Sequence, residues 1–291
     1  MTILVTGATG PFGRHTVDAL LDRGIAPSDL AVLVRDASRA ADLAERGIDV
    51  RVGSYDDPAS LDAAFAGVDR LVFVSGSEVG QRITQHQNVV DAAKRAEVGL
   101  VAYTSIVRAD TSTLGLAAEH KATEEMLAAS GLPTVLLRNS WYLENYTAQI
   151  PTQLAHGAVL GAAGEGRLSA ATRADFAAAA AAVVAEDGHA GQVYELGGDA
   201  PFNLGEYAAE LASQTGAEVA YRDLPVPEFA AVLVGAGLPE GYAQALATSD
   251  DAIKDGALLV DTGDLSRLIG RPTTTMAEAV REAVREAVAV G

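Results

Sequence analysis

The feature that most constrains this chain is its rhythm. Short β-branched and apolar runs fall at 2–6, 30–34, 49–52, 70–74, 100–103 and 134–137. Between them, segments at 12–23, 38–46, 58–65, 81–96 and 117–129 repeat their apolar residues every three to four positions, the spacing of one helix face. The helix expected at 58–65 begins with Pro58 and closes at Gly67, and that at 117–129 ends in Ser130-Gly131, a stop signal of the expected kind. Strand, helix and strand in repetition imply right-handed crossovers and a parallel sheet with helices on both faces. Runs such as Ala31-Val32-Leu33-Val34 are apolar throughout, as strands buried on both faces require.

After about residue 145 the rhythm loosens. A helix at 175–186 and a strand at 192–196 are expected to return to the first sheet, while 204–214, 226–234, 241–247 and 275–288 are expected as helices of a smaller lobe. The division expected is a first domain at 1–148, with 170–198 returning to it, and a smaller, mainly helical, substrate-binding lobe at 149–169 and 199–291.

Gly7-Ala8-Thr9-Gly10-Pro11-Phe12-Gly13 lies between the first strand and the first helix. Glycine triplets in that context mark a Rossmann-type, doubly wound α/β fold that binds a dinucleotide. Gly7 allows the tight turn, Gly10 lets the backbone approach a pyrophosphate, and Gly13 lets the helix sit close to the strand. The helix N-terminus then offers N–H groups and a positive dipole end to the phosphates. An NAD site usually carries an acid about 20 residues further on. Here Arg35 stands at the end of the second strand, where a guanidinium pairs with a 2′-phosphate. NADP(H) is therefore the favoured cofactor. Asp36 follows at once, so NAD(H) is kept as a second cofactor.

Composition excludes several other classes. Hydrophobic residues at 49% and charged residues at 21% are ordinary for a folded globular chain. There is no cysteine, hence no disulfide framework, thiolate nucleophile or thiolate metal site. The five histidines, at 15, 86, 120, 156 and 189, never stand at helix-ligand spacing, and no metal is expected. Acidic residues number 39 against 21 basic ones, a net charge of −18, which disfavours nucleic acid as a partner because binding it needs cations against phosphates. No run approaches the roughly 18 apolar residues of a membrane span, and the chain enters its first strand at Thr2 without a basic and apolar leader. A soluble cytoplasmic protein without a membrane partner is expected. The oligomeric state stays open, a homo-oligomer included.

Several stretches resemble one family. They are TGATGPFG (6–13), SGSEVGQR (75–82), YTS (103–105), ADTSTLGLAAEH (109–120), LLRNSWYLENY (136–146), SAATRADFAAAAAAV (169–183), VYELGGD (193–199) and LIGRPTTT (268–275). Together they resemble the type 2, zinc-independent NAD(P)H:quinone oxidoreductases, of the NmrA-like branch of the atypical short-chain dehydrogenases. The resemblance covers essentially the whole chain. It implies that Gly7, Thr9, Gly10, Pro11, Phe12 and Gly13 hold the pyrophosphate and that Arg35 meets the adenosine ribose. It places Ser54 and Tyr55 near the adenine, Val74, Ser75, Gly76 and Ser77 along the nicotinamide ribose, and Tyr103, Thr104 and Ser105 facing the nicotinamide.

One departure matters. The wider superfamily uses Tyr-x-x-x-Lys to relay a proton, but this helix reads Leu116-Ala117-Ala118-Glu119-His120-Lys121-Ala122-Thr123-Glu124. In one register His120 takes the Lys place and Leu116 the Tyr place; in the other, Lys121 and Ala117 do so. Neither supplies the Tyr. A quinone needs no such relay, because it is already an electrophile and its reduced anion is stabilised. His120 is expected to bond the nicotinamide ribose or to donate to a quinone oxygen, and His86 to be structural. Asn139 and Tyr142, in the aromatic and amide-rich stretch after the sixth strand, complete the expected catalytic set by stacking on a flat ring and bonding its carbonyls. The Gly-rich segment 157–166 is expected as a mobile edge of the same cleft. The expected activity is NADPH-dependent reduction of a small-molecule quinone without flavin or metal. The alternative is a non-catalytic NAD(P)-sensing regulator, as some NmrA-like proteins are.

Overall fold

The computed structural model describes residues 1–78 and 80–290. In chain order the first half runs β1 (Ile3–Val5), α1 (Pro11–Asp22), β2 (Leu30–Val34), α2 (Ala41–Glu45), β3 (Asp49–Val52), α3 (Pro58–Phe65), β4 (Arg70–Phe73), α4 (Arg82–Arg95), β5 (Leu100–Ile106), α5 (Ala117–Ser130) and β6 (Thr134–Asn139). Then follow α6 (Glu144–Thr147), α7 (Ile150–His156), β7 (Ala158–Gly161), α8 (Arg173–Ala185), β8 (Val193–Leu196), α9 (Leu204–Thr215), β9 (Ala220–Asp223), α10 (Val226–Gly235), α11 (Glu240–Ile253), α12 (Asp264–Ile269) and α13 (Met276–Val290).

The chain divides into two compact units. One comprises Met1–Ala109, Ala118–Asn139 and Arg173–Tyr194; the other comprises Asp110–Ala117, Ser140–Thr172 and Glu195–Gly291. The first unit is built on a seven-stranded sheet of order β3-β2-β1-β4-β5-β6-β8. Its strands are parallel, with Val5 level with Val32 on one side and Val72 on the other. The order reverses between β1 and β4, and open α/β sheets bind ligands at the carboxyl ends flanking such a switch. Leu4, Leu33, Leu61, Phe65, Leu71, Phe73 and Val89 are among the residues of a core cluster to which both sheet and helices contribute. The Ala-rich α8 buries Phe176 and its run of alanines, whose small side chains permit the close approach that α1 makes to it.

Local chemistry explains the sharp boundaries. Asp57 caps α3 by accepting the N–H groups of Ala59 and Ser60, and Pro58 occupies the first helical position. Strand β5 runs past the expected end at 103 because its pairing with β6 continues to Ile106 and Asn139. Helix α11 runs past 247 through Thr248 and Ser249, whose hydroxyls bond back to the carbonyls of Gln244 and Ala245.

The second unit is more than helical. β7 and β9 pair in parallel, from Ala158 opposite Ala220 to Gly161 opposite Asp223. The segment expected as a mobile edge therefore supplies a strand. A Cβ at Gly161 would lie 2.8 Å from both the Asp250 carboxylate and Leu204, so a larger residue there would push both side chains aside. In the same unit α9 opens with a reciprocal cap between Asn203 and Glu206 and closes on Gly216 at φ +71°. Among the described residues no helix is long and apolar enough to cross a membrane.

Candidate dinucleotide site and its catalytic neighbours

The turn after β1 has little room. Gly7 adopts φ +61° and its carbonyl accepts the Gly10 N–H at 3.0 Å. A Cβ on Gly13 would lie 2.4 Å from that carbonyl oxygen and 2.7 Å from Ala8 Cα. Only glycine lets α1 start this close to the strand. Gly10 precedes Pro11 and provides no side-chain cap. Thr9 is half-buried and Phe12 buried beneath the turn.

At the end of β2 the Arg35 side chain is 74% exposed and meets Glu78 through Nη1 and Oε1 at 3.3 Å. Asp36 is engaged elsewhere. Its Oδ1 accepts both the N–H of Ser38, at 2.9 Å, and the Ser38 hydroxyl, at 2.7 Å. Those bonds, the hydroxyl first, hold its carboxyl below the usual aspartate range.

The ends of β3 and β4 are held by a polar lattice. The Tyr55 hydroxyl lies 2.5 Å from Thr6 Oγ1 and 2.8 Å from the Val74 carbonyl, so this end of the residue is structural, and burial raises its pKa. Ser54 is half-buried, its N–H donating to Ser60 Oγ. The Ser75 N–H donates to Thr104 Oγ1 at 2.9 Å, and the Gly76 N–H to His86 Nε2 at 2.9 Å. Since His86 Nε2 accepts, the ring proton sits on Nδ1 and is offered to Thr123 Oγ1 at 2.8 Å. Burial, helped by Arg82, pushes His86 down to about 3; it is the structural group expected. Arg82 donates to the Gly76 carbonyl and pairs with Glu119 at 2.8 Å, and Glu119 also accepts the Gly80 N–H. Ser77 stays exposed on this anchored segment.

The sixth strand and α5 contribute the remaining groups. His120 is buried and Lys121 exposed, so of the two registers it is His120 that faces inward. Its Nδ1 lies 2.8 Å from the Tyr103 hydroxyl. Burial, then Arg82 and His86, hold His120 well below the usual histidine range. Tyr103 is fully buried within β5 and serves to orient His120. Ser105 donates to Glu124 at 2.5 Å, and Arg138 grips the same carboxylate at 3.0 and 2.7 Å. Asn139 is 3% exposed, and neither its Oδ1 nor its Nδ2 has a hydrogen-bond partner among the described residues. Sequence reasoning missed Glu78, Arg82, Glu119, Glu124 and Arg138. The signal for three of them was polar residues four apart on α4 and α5: Arg82 with His86, Glu119 with Thr123, His120 with Glu124.

Tyr142 belongs to the second unit. There the backbone of 141–143 pairs with Ala171, the Ala171 N–H donating to Trp141 and the Leu143 N–H to Ala171. Tyr142 itself is half-buried. Deeper in this unit the Tyr146 hydroxyl is buried without a hydrogen-bond partner among the described residues. Asp250 accepts the Ala162 N–H at 3.1 Å, and burial pushes its carboxyl up to about 6. Among the described residues no group of three or more His, Cys, Asp or Glu could hold a metal ion.

Comparison with known proteins agrees with this geometry. The model of the NAD(P)H-binding family matches residues 7–187. Quinone oxidoreductase 2 of Escherichia coli is 51% identical over 278 residues, which cover 96% of this chain and 97% of that protein. The crystal structure of the E. coli NADPH-dependent quinone oxidoreductase complexed with NADPH superposes with a TM-score of 0.94 at 50% identity, covering 97% of this chain and all of that one. The Citrobacter triphenylmethane reductase complexed with NADP(H) gives a TM-score of 0.92 at 36% identity, covering 97% of this chain and 100% of that one. The chain therefore belongs to the NAD(P)H-binding, NmrA-like family that contains the type 2 quinone oxidoreductases.

Proposed function

We propose that this protein reduces quinones with NADPH by direct hydride transfer. The observation that carries the reading is the neutral, buried His120, bonded to Tyr103 of β5, at the Lys place of a helix whose Tyr place holds Leu116. Bound NADPH supplies the hydride. The residues fit it: the turn has no Cβ between its glycine backbone and an approaching pyrophosphate, and Gly10 leaves the start of α1 without a side-chain cap. Arg35 presents its guanidinium to a 2′-phosphate.

His120 positions a ligand oxygen through its ring nitrogen but stays uncharged, so it lends no strong acid. A reduced quinone needs none, since its anion is stabilised and water or a weak donor completes the reaction. The buried amide of Asn139 supplies one acceptor and two donors for a ligand carbonyl or carboxamide. The end-to-end similarity to an E. coli enzyme named as a quinone oxidoreductase supports an enzyme over a cofactor sensor. The test is loss of the reduced-nicotinamide absorbance, with and without a small benzoquinone. Quinone-dependent loss is expected. Tight NADPH binding with no turnover would overturn the enzyme in favour of the sensor.

A further inference from the structure

Cofactor choice in this fold is usually assigned to the residue that follows β2. Here that strand end carries Arg35 and Asp36, and Asp36 is turned onto Ser38. The carboxylate that stands beside Arg35 comes from elsewhere. Glu78, on the segment between β4 and α4, lies 43 residues away in sequence and 3.3 Å away in space.

Glu78 is held in place. Its Oε2 accepts from Gln85 Nε2 at 3.2 Å, and the same nitrogen donates to Asp56 Oδ1 at 3.1 Å. Gln85 is itself buried on α4. The segment is pinned on either side of Glu78, at Gly76 by His86 and Arg82 and at Gly80 by Glu119. Yet the Arg35 and Glu78 side chains are 74% and 50% exposed. Two opposite charges thus stand open to a ligand where the adenosine ribose arrives.

The two groups suit different riboses. A guanidinium offers only donors and a charge opposite to that of a phosphate. A carboxylate offers only acceptors, which suit a free 2′-hydroxyl and repel a 2′-phosphate. An exposed ion pair is worth little, about 0–1 kcal/mol or at most fivefold in an equilibrium. Either partner can therefore leave the other for a ligand at small cost.

We propose that Arg35 and Glu78 form a two-way selector, Arg35 taking the 2′-phosphate of NADPH and Glu78 the ribose 2′-hydroxyl of NADH. The carboxylate that admits NADH is supplied by the β4–α4 segment, not by the end of β2. This rests on the reading of the turn as an NADPH site.

The experiment compares dissociation constants for NADPH and NADH, by calorimetry on the full-length protein, in wild type, Glu78→Ala, Glu78→Gln and Arg35→Ala. Removing an exposed charge-assisted bond costs about tenfold, the lower end of its usual range. Glu78→Ala is therefore expected to weaken NADH about tenfold, while relief of repulsion tightens NADPH about two- to fivefold. Glu78→Gln is expected to tighten NADPH equally and to weaken NADH less, since its amide oxygen still accepts. Arg35→Ala is expected to do the reverse, weakening NADPH about tenfold and leaving NADH unchanged or tighter. A merely structural Glu78 would move both cofactors the same way, through Gln85 and the anchored segment. Parallel changes in the two constants, or no change in either, overturn the selector. Binding of neither cofactor by the wild type overturns the underlying NADPH reading as well, which separates the two failures.

Discussion

Replacing Asn139 by Leu should make the ligand-free protein more stable and the enzyme worse. Asn139 ends β6, pairs with Ile106 and accepts the Val107 N–H through its carbonyl at 3.0 Å. Its side chain is buried, with both amide atoms lacking a partner among the described residues. Most buried polar atoms in folded proteins are paired, and an unpaired one costs about 1–3 kcal/mol. Two such atoms set a ceiling of about 6 kcal/mol, which local relaxation reduces severalfold. Leu has the same branching at Cγ and similar volume, so the strand and its neighbours need not move. A gain of about 1–2 kcal/mol is expected, raising the thermal midpoint by about 2–4 °C for each kcal/mol. The amide's bonds to a ligand are lost at about 0.5–1.5 kcal/mol each. Two of them amount to roughly 5- to 150-fold in kcat/KM. Near-ultraviolet circular dichroism against temperature, without ligand, gives the first quantity, and steady-state quinone reduction the second. A lowered midpoint would mean that the amide is bonded in the free protein. Unchanged kcat/KM would mean that it never meets substrate or cofactor. Either result refutes the reasoning.

Other outcomes follow from the same geometry. Gly13→Ala drives a Cβ to within 2.4 Å of the Gly7 carbonyl, so it should destabilise the protein by about 3 kcal/mol, the top of the usual overpacking range, and abolish NADPH binding in a calorimetric titration. His120→Ala should slow turnover less than about 100-fold, below the upper range of general acid catalysis. Because His120 is held well below the ordinary histidine range, the wild-type pH–rate profile should show no inflection from it near neutrality, and one that disappears in His120→Ala would contradict this account. For Asp250, burial lifts the folded-state pKa from 3.8 to about 6, so the folded state binds the proton more tightly than the unfolded chain. Its contribution to stability is full below about 3.8 and is lost as the pH rises through about 6. Asp250→Asn keeps an acceptor for Ala162 and stays neutral, so it should be more stable than wild type at pH 8, by up to about 3 kcal/mol. The two should match near pH 4, as thermal midpoints at both pH values would record.

What could be read from the sequence divides along a physical line. Strands 30–34 and 49–52 and helix 58–65 agree with the structure to the residue, because their ends are set by Pro, Gly and capping Asp within a turn of the boundary. The glycine turn was equally plain, since the space Gly13 needs is taken by Gly7 and Ala8, six and five residues before it. Chemistry that depends on register was not. β7 and β9 are four residues each and pair across about sixty positions; β9 is largely exposed and carries no apolar pattern, and the apolar run of β7 is only four residues long. Arg35 was found as a strand end; its partner Glu78 was not, because nothing local binds residues 43 apart until the sheet order sets β4 beside β1 and β1 beside β2. The same holds for Arg138, whose buried carboxylate partner sits on α5. A parallel sheet brings its carboxyl ends to one edge whatever the sequence distance between them, which is why a candidate site could be proposed on strand ends from sequence. Which polar group meets which at that edge is decided by sheet order and the paths of the crossovers. The groups that reading strand ends missed, Glu78 above all, are those that determine whether a guanidinium there is free to choose its ligand.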